Sequence, residues 1–168
     1  MTGVSTVELY DQMWTVGDGS GRMGDCLRAA VATLLQIPPD RVPHFAESSD
    51  WLGALLAFRD GLHYFTLQKG YWPPHMETAL PWVIGCGRSP RGVMHAVILS
   101  AADGSLIHDP HPSRDGLSEP PTAVIKTDAL VPGDDHVTAG MEAVLVTLTG
   151  GVDDPAGSEQ AGGSGGEG

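Results

Sequence analysis

Two apolar runs in the second half of the chain limit the fold more than any other feature. Residues 93–101 (Val-Met-His-Ala-Val-Ile-Leu-Ser-Ala) and 105–109 (Ser-Leu-Ile-His-Asp) read as strands, and Ala102-Asp103-Gly104 between them carries turn residues. The pattern predicts a hairpin with a three-residue loop, Gly104 taking the left-handed position. In that register Ala101 faces Ser105 and Val97 faces Asp109. His95 is then the diagonal neighbour of Asp109 on the same face, at about 7–8 Å between backbones. A two-residue loop, Asp103-Gly104, pairs Ile98 with Asp109 instead and moves Asp109 to the face away from His95. The relation between these two polar residues hangs on one residue of loop length.

Helices precede these strands. Leu27, Ala30, Val31, Leu34 and Leu35 form one apolar stripe, with Asp25 expected to cap the helix and Ile37-Pro38-Pro39 to stop it. A second helix is expected over residues 50–59, capped by Ser49, followed by Gly61, and buried through Leu52, Leu55 and Leu56. Further strands are expected over residues 62–67, 82–86 and 141–149. Helices first and strands later predict an α+β fold, helices packed on a mostly antiparallel sheet. The first helix is the natural cover for the face shared by His95, Val97 and Leu99.

The chain has 168 residues and a formal net charge of −12, with a pI of about 4.7. That length suits one domain, expected over residues 1–149. The charge argues against nucleic acid or an anionic membrane as partner. Residues 150–168 are Gly, Ser, Asp, Glu and Ala with almost nothing apolar to bury, and are expected to be a disordered acidic tail. Two cysteines, Cys26 and Cys86, are too few for a disulfide scaffold and suggest a reducing compartment. With no membrane-length apolar stretch and no signal-peptide pattern at Met1-Thr2-Gly3-Val4, the expected location is the cytoplasm. Nothing in the composition sets an oligomeric state.

Three residues carry chemistry. Cys26 stands at the start of the first helix, His95 inside a strand and Asp109 at the end of the next. A thiol, an imidazole and a carboxylate are the parts of a cysteine nucleophile, its base and the group that orients the base. Free N–H groups and the positive dipole end at a helix start favour a thiolate. The backbone N–H of Cys26 can donate to an oxyanion, and Gln12, the only glutamine before Cys26, is the candidate side-chain donor.

Gly24-Asp25-Cys26, the helix after it and the exit Ile37-Pro38-Pro39-Asp40-Arg41-Val42-Pro43-His44-Phe45 resemble the nucleophile helix of small papain-like cysteine peptidase domains of bacteria and phages. Arg88-Ser89-Pro90-Arg91-Gly92 leading to His95-Ala96-Val97, and then His108-Asp109-Pro110-His111-Pro112-Ser113, look like that group's His and Asp strands. The resemblance covers about residues 10–117. It implies a papain-like fold, a peptide or amide-containing substrate and thiol acyl chemistry without a cofactor. By that match Cys26 is the nucleophile, His95 the base and Asp109 the orienting residue. One departure is that Gln12 lies farther from the cysteine than the family's oxyanion glutamine, with Gly17-Asp18-Gly19-Ser20-Gly21 inserted between.

Plainer readings stand beside these. Cys26 alone is an ordinary buried thiol, and Cys86 between two glycines reads as small packing or a disulfide partner for Cys26. His108 and His111 around Pro110 offer a metal pair, or hydrogen bonds within a tight loop; metal is not the expected reading, because His44, His63 and His75 lack ligand spacing. Arg88 and Arg91 either bind a substrate carboxylate or phosphate or sit in a solvated loop. A non-enzymatic binding protein on the same scaffold is the alternative function.

Overall fold

The computed structural model describes residues 7–59, 61–69, 71–72 and 76–127. The strand expected over residues 141–149 and the tail at 150–168 lie outside the described residues. The elements run α1 (Cys26–Leu35), α2 (Trp51–Phe58), β1 (Leu62–Thr66), β2 (Trp82–Arg88), β3 (Met94–Ser100), β4 (Leu106–His108) and β5 (Ala123–Thr127), with single 3₁₀ turns at Pro39–Arg41 and Phe45–Glu47. The five strands form one sheet in the order β1-β5-β2-β3-β4. Every described pairing is antiparallel. The fold is α+β, as the order of patterns predicts.

Strand β5 was not legible in the sequence. Its five residues follow Pro120-Pro121 and are too short to show a period, yet they are almost wholly buried between β1 and β2. Position in the sheet, not local pattern, makes this segment a strand.

The stripe on α1 buries as expected, and Ala29, Ala32 and Thr33 join it. The helix ends where Gln36 turns left-handed at φ 53°. Asp25 occupies the cap position without capping. Its carboxylate accepts the Trp14 N–H at 2.9 Å. In α2 the cap is Asp50, not Ser49, through the Gly53 N–H at 2.9 Å. Leu55 is fully buried, whereas Leu56 is 42% exposed. The buried stripe of α2 is thus narrower than the three leucines suggested.

The sheet has two apolar layers. Ala30, Val31, Leu34, Ile84, Ala96, Ile98 and Ile125 pack together on the α1 side. Val83, Val97, Leu99 and Val124 pack on the other, with Trp72, Met76 and Leu117 against them. Helix α1 therefore covers Ala96 and Ile98, not the Val97 and Leu99 face. The reason is parity: those two sets alternate along β3, and the helix stripe meets the even-numbered one. Each fully buried Leu, Ile or Val in these layers is worth about 1.5–3 kcal/mol against exposure.

The hairpin differs from expectation in a way that preserves its consequence. Ser100 N–H donates to Ser105 at 2.8 Å and Gly104 N–H to Ser100 at 2.9 Å, so the turn has four residues, 101–104. Gly104 is left-handed, as expected, at φ 74°. The turn lengthens because Ala101 N–H stays committed to Pro81 on the β2 side. Continued unchanged, this register would set Asp109 opposite Ala96, on the wrong face. A bulge intervenes: Leu99 faces Leu106, but Ile98 faces His108, leaving Ile107 as the extra residue. Beyond the bulge the register returns to the one that brings Asp109 opposite Val97.

Candidate active site

Cys26 closes an unfinished edge of the sheet. Ser100 turns its N–H toward β4, and by the two-residue period so do Ile98 and Ala96. Strand β4 ends at His108 and Pro110 follows, so Ala96 has no strand partner on that side. The Ala96 N–H meets the Cys26 sulfur instead, as does the Leu27 N–H from the first turn of α1. Burial pushes the Cys26 pKa up; those two amides pull against it, and the charges of Asp25 and Asp109 add to the rise. At this helix start burial works against the thiolate that the sequence pattern favours, and it outweighs the two amides.

Asp109 is held on every side. His95 Nε2 lies 2.6 Å from Oδ1, the His111 N–H donates to Oδ1 at 2.8 Å, and the Gly116 N–H donates to Oδ2 at 2.7 Å. The loop of residues 110–116 wraps the carboxylate, with Gly116 left-handed at φ 67° and Arg114 donating to the Asp109 carbonyl. Burial opposes the charge on Asp109, but the hydrogen bonds from His111, His95 and Gly116 hold its pKa below the usual value. For His95, burial lowers the pKa, Asp109 pulls it up and Arg91 lowers it again. An ionised Asp109 fixes the imidazole proton on Nε2 and leaves Nδ1 as the free base.

Gln12 comes to the same place despite its distance in sequence. Its N–H donates to Pro110 at 3.0 Å, and His108 Nε2 sits 3.0 Å from the Tyr10 carbonyl, so residues 10–12 run beside the end of β4. Two residues on, Trp14 and Asp25 are joined by Trp14 N–H to the Asp25 carboxylate and Asp25 N–H to the Trp14 carbonyl. The insertion between them loops out, its turn held by Asp18 through Thr15 and Ser20 and opened by left-handed Gly17, Gly19 and Gly21. His44 stacks on Trp14 and pins the Met23 carbonyl at 3.1 Å. Gln12 Nε2 donates to the Trp14 carbonyl at 2.7 Å, while its Oε1 is buried without a partner.

A cleft of about 650 Å³ takes in Gln12, Cys26, His95, Arg91 and His111 together. The thiol and imidazole share its wall but are not hydrogen-bonded to each other. Of the two arginines, Arg91 lines the cleft and Arg88 does not: Arg88 donates to Gly92 within its own β2–β3 turn. Cys86 lines the cleft as a free thiol, its pKa pushed up to about 12 by burial. Trp51 is cleft wall, Trp82 is core and Trp72 packs on the far layer. His108 and His111 turn to separate partners, Tyr10 and Ser113, and among the described residues no group of three or more His, Cys, Asp or Glu has metal-holding geometry. His111 is the cleft residue that sequence reasoning left in a loop; its spacing from Asp109 was the available signal. No helix among the described residues is long and apolar enough to cross a membrane. No family model, curated protein or solved structure matches this chain.

Proposed function

We propose that the protein is a papain-like thiol hydrolase or acyltransferase that acts on an amide bond through a Cys26–His95–Asp109 triad. The observation that carries this reading is the buried His95–Asp109 pair at 2.6 Å beside a cleft that Cys26 also lines. Thiol and imidazole rest neutral, since burial opposes charge on both. Nδ1 of His95 takes the thiol proton as the sulfur attacks the carbonyl carbon. The second proton of Gln12 Nε2 and the Cys26 N–H stabilise the oxyanion. The C–N bond then breaks, the proton passes from His95 to the leaving nitrogen, and water or an amine resolves the thioester. A free thiol nucleophile also fits a reducing compartment.

Incubation with p-nitrophenyl acetate and peptide mass spectrometry tests this. The expected result is an acetyl group on Cys26 in wild type and its absence in His95→Ala. An acetyl group on Cys86, or on Cys26 equally in both proteins, overturns the assignment. A binding protein on the same scaffold is the second reading. The raised thiol pKa favours it, and failure to acylate Cys26 would establish it over the enzyme.

A further inference from the structure

The cleft has two chemically distinct ends. Around Cys26 it is apolar: Leu27 and Trp51 form its wall, and Val16, Met23 and Met94 line it while remaining 59%, 54% and 63% exposed. Exposed side chains of that kind, gathered at one opening, mark a surface that binds an apolar group. Methionines suit it, since they adapt to a chain of no fixed shape. Around His95 the cleft is polar, with Arg91 and His111. Among the described residues no carboxylate lines it, although Asp and Glu outnumber Lys and Arg 21 to 9 in the chain.

Arg91 is held for exchange. It donates to Ser113 at 2.8 Å, and its ion pair with Asp115 is long, 3.4 Å, and half-exposed. Such a surface pair contributes at most about 1 kcal/mol, which an incoming carboxylate replaces readily. His111 is a neutral donor. Its Nδ1 accepts the Ser113 N–H at 3.0 Å, which leaves the proton on Nε2. Its ring packs edge-on to His95 with centroids 6.1 Å apart, and its backbone N–H is fixed on Asp109. Burial keeps it uncharged, with Arg91 and His95 adding to that effect.

The direction of the reaction assigns the two ends. The nitrogen that leaves takes its proton from His95, so the amine part of the substrate lies on the side of His95, Arg91 and His111. The acyl part stays on the sulfur and lies against Leu27, Met23 and Trp51. We infer that the substrate is an amide with an apolar acyl group and a carboxylate on its amine part, as in an N-acyl amino acid, the carboxylate seated on Arg91 with His111 beside it. This inference rests on the acyl-enzyme reading above.

Two measurements test it on the full chain. The first is the ratio of Cys26 alkylation rates with iodoacetate and iodoacetamide at one pH, read by mass spectrometry. Both reagents use the same thiolate, so the ratio reports only the charge that meets the reagent. Arg91→Gln is expected to lower the ratio about tenfold and Arg91→Lys to retain much of it, while Arg88→Gln, outside the cleft, leaves it unchanged. No effect of Arg91→Gln, or an equal effect of Arg88→Gln, overturns the anion site. The second is protection of Cys26 from iodoacetamide. N-octanoylglycine should protect at about tenfold lower concentration than N-octanoylglycinamide or N-acetylglycine. Equal protection by the glycinamide removes the carboxylate from the proposal, and equal protection by N-acetylglycine removes the apolar group. Failure of acylation by p-nitrophenyl acetate with the Arg91-dependent ratio intact removes the enzyme reading and leaves the anion site standing.

Discussion

The two halves of the site are built by different means. The base half, His95 with Asp109, is over-determined: a strand, a bulge, two backbone amides and a left-handed glycine converge on one buried carboxylate. The thiol half is under-determined. Cys26 rests on two amides, one of them an unfinished ladder position of β3, and faces an open apolar cleft. Burial raises the thiol's pKa and lowers the imidazole's, so charge is disfavoured on both before a substrate arrives, while Asp109 stays ionised. The contrast teaches that a catalytic base needs a fixed direction, which hydrogen bonds supply. A nucleophile needs access, which a dense network would remove.

The largest effects should come from removing either half. Cys26→Ala should abolish acyl transfer, a loss of at least about 10³-fold, with the melting temperature nearly unchanged. Retention of a tenth of the activity would remove Cys26 from the nucleophile role. Almost as large is the expected effect of inserting one alanine between His108 and Asp109, which carries Asp109 one position on, opposite Ala96, to the face away from His95. Deleting Ile107 removes the bulge but leaves His108 opposite Ile98 and Asp109 opposite Val97, so activity should survive. Equal activity in the two variants would mean that the loop of residues 110–116, not the strand register, places the carboxylate.

Next in size is Gln12→Ala, expected to lower kcat about 10²-fold with KM little changed, because in the proposed mechanism the amide acts on the oxyanion rather than on the resting substrate. A rise in KM alone would assign Gln12 to binding.

How the site was legible follows the same division. Cys26, His95 and Asp109 could be found because each sits on an element with a strong local pattern: a helix stripe, an apolar strand and a strand end. The rule that one residue of loop length decides the face was also readable. The numbers were not, since the loop is longer by one and the bulge restores it, and a bulge at Ile107 has no local signature. Gln12 could be named only as a lone glutamine. Its position depends on Trp14 and Asp25, a backbone bridge across eleven residues. Strand β5 and the covering of Ala96 rather than His95 by α1 are tertiary outcomes that no short window contains. His111 was visible as a residue but not as cleft wall, because the wrapping of Asp109 decides which way it faces.

Asp109→Asn weighs first on the base half, and it also removes a charge that helps raise the Cys26 pKa. The amide oxygen can still accept from His95 and His111, but its NH₂ meets the Gly116 N–H, which loses its acceptor. The cost should be about 1–3 kcal/mol of stability and less activity than His95→Ala removes. Linkage adds a pH signature. The folded pKa of Asp109 is depressed, so its contribution is present above the unfolded value of about 3.9 and is lost as pH falls through the lower folded value. Thermal melts should therefore show a wild-type advantage over Asp109→Asn at neutral pH that narrows in strong acid. A constant gap at all pH values would mean that packing, not charge, sets it.

The thiol half has its own pH signature. Iodoacetamide alkylation of Cys26 should rise with pH along a single thiol curve whose midpoint lies above the ordinary value of about 8.5. A plateau of reactivity in mild acid would show a resting thiolate–imidazolium pair and would overturn the neutral resting thiol and imidazole described above.

His108→Ala should have the smallest effect, and that is its use. His108 neighbours Asp109 in sequence but pairs with Ile98, on the α1 side, and its ring holds the Tyr10 carbonyl at 3.0 Å with Asp11 at 3.5 Å. Losing it removes one hydrogen bond to residues 10–12, about 0.5–1.5 kcal/mol. Alkylation of Cys26 should change by less than about twofold, because no hydrogen bond of His108 reaches the sulfur, His95 or Asp109. The residues that do respond should be those beside it: Gln12 is tied to Pro110 two positions on, so a modest loss in kcat at constant alkylation rate would trace the weakening to the oxyanion donor. If instead His108→Ala abolishes thiol reactivity while Asp109→Asn does not, the third member of the constellation is His108. The over-determined carboxylate would then be a structural device rather than part of the site.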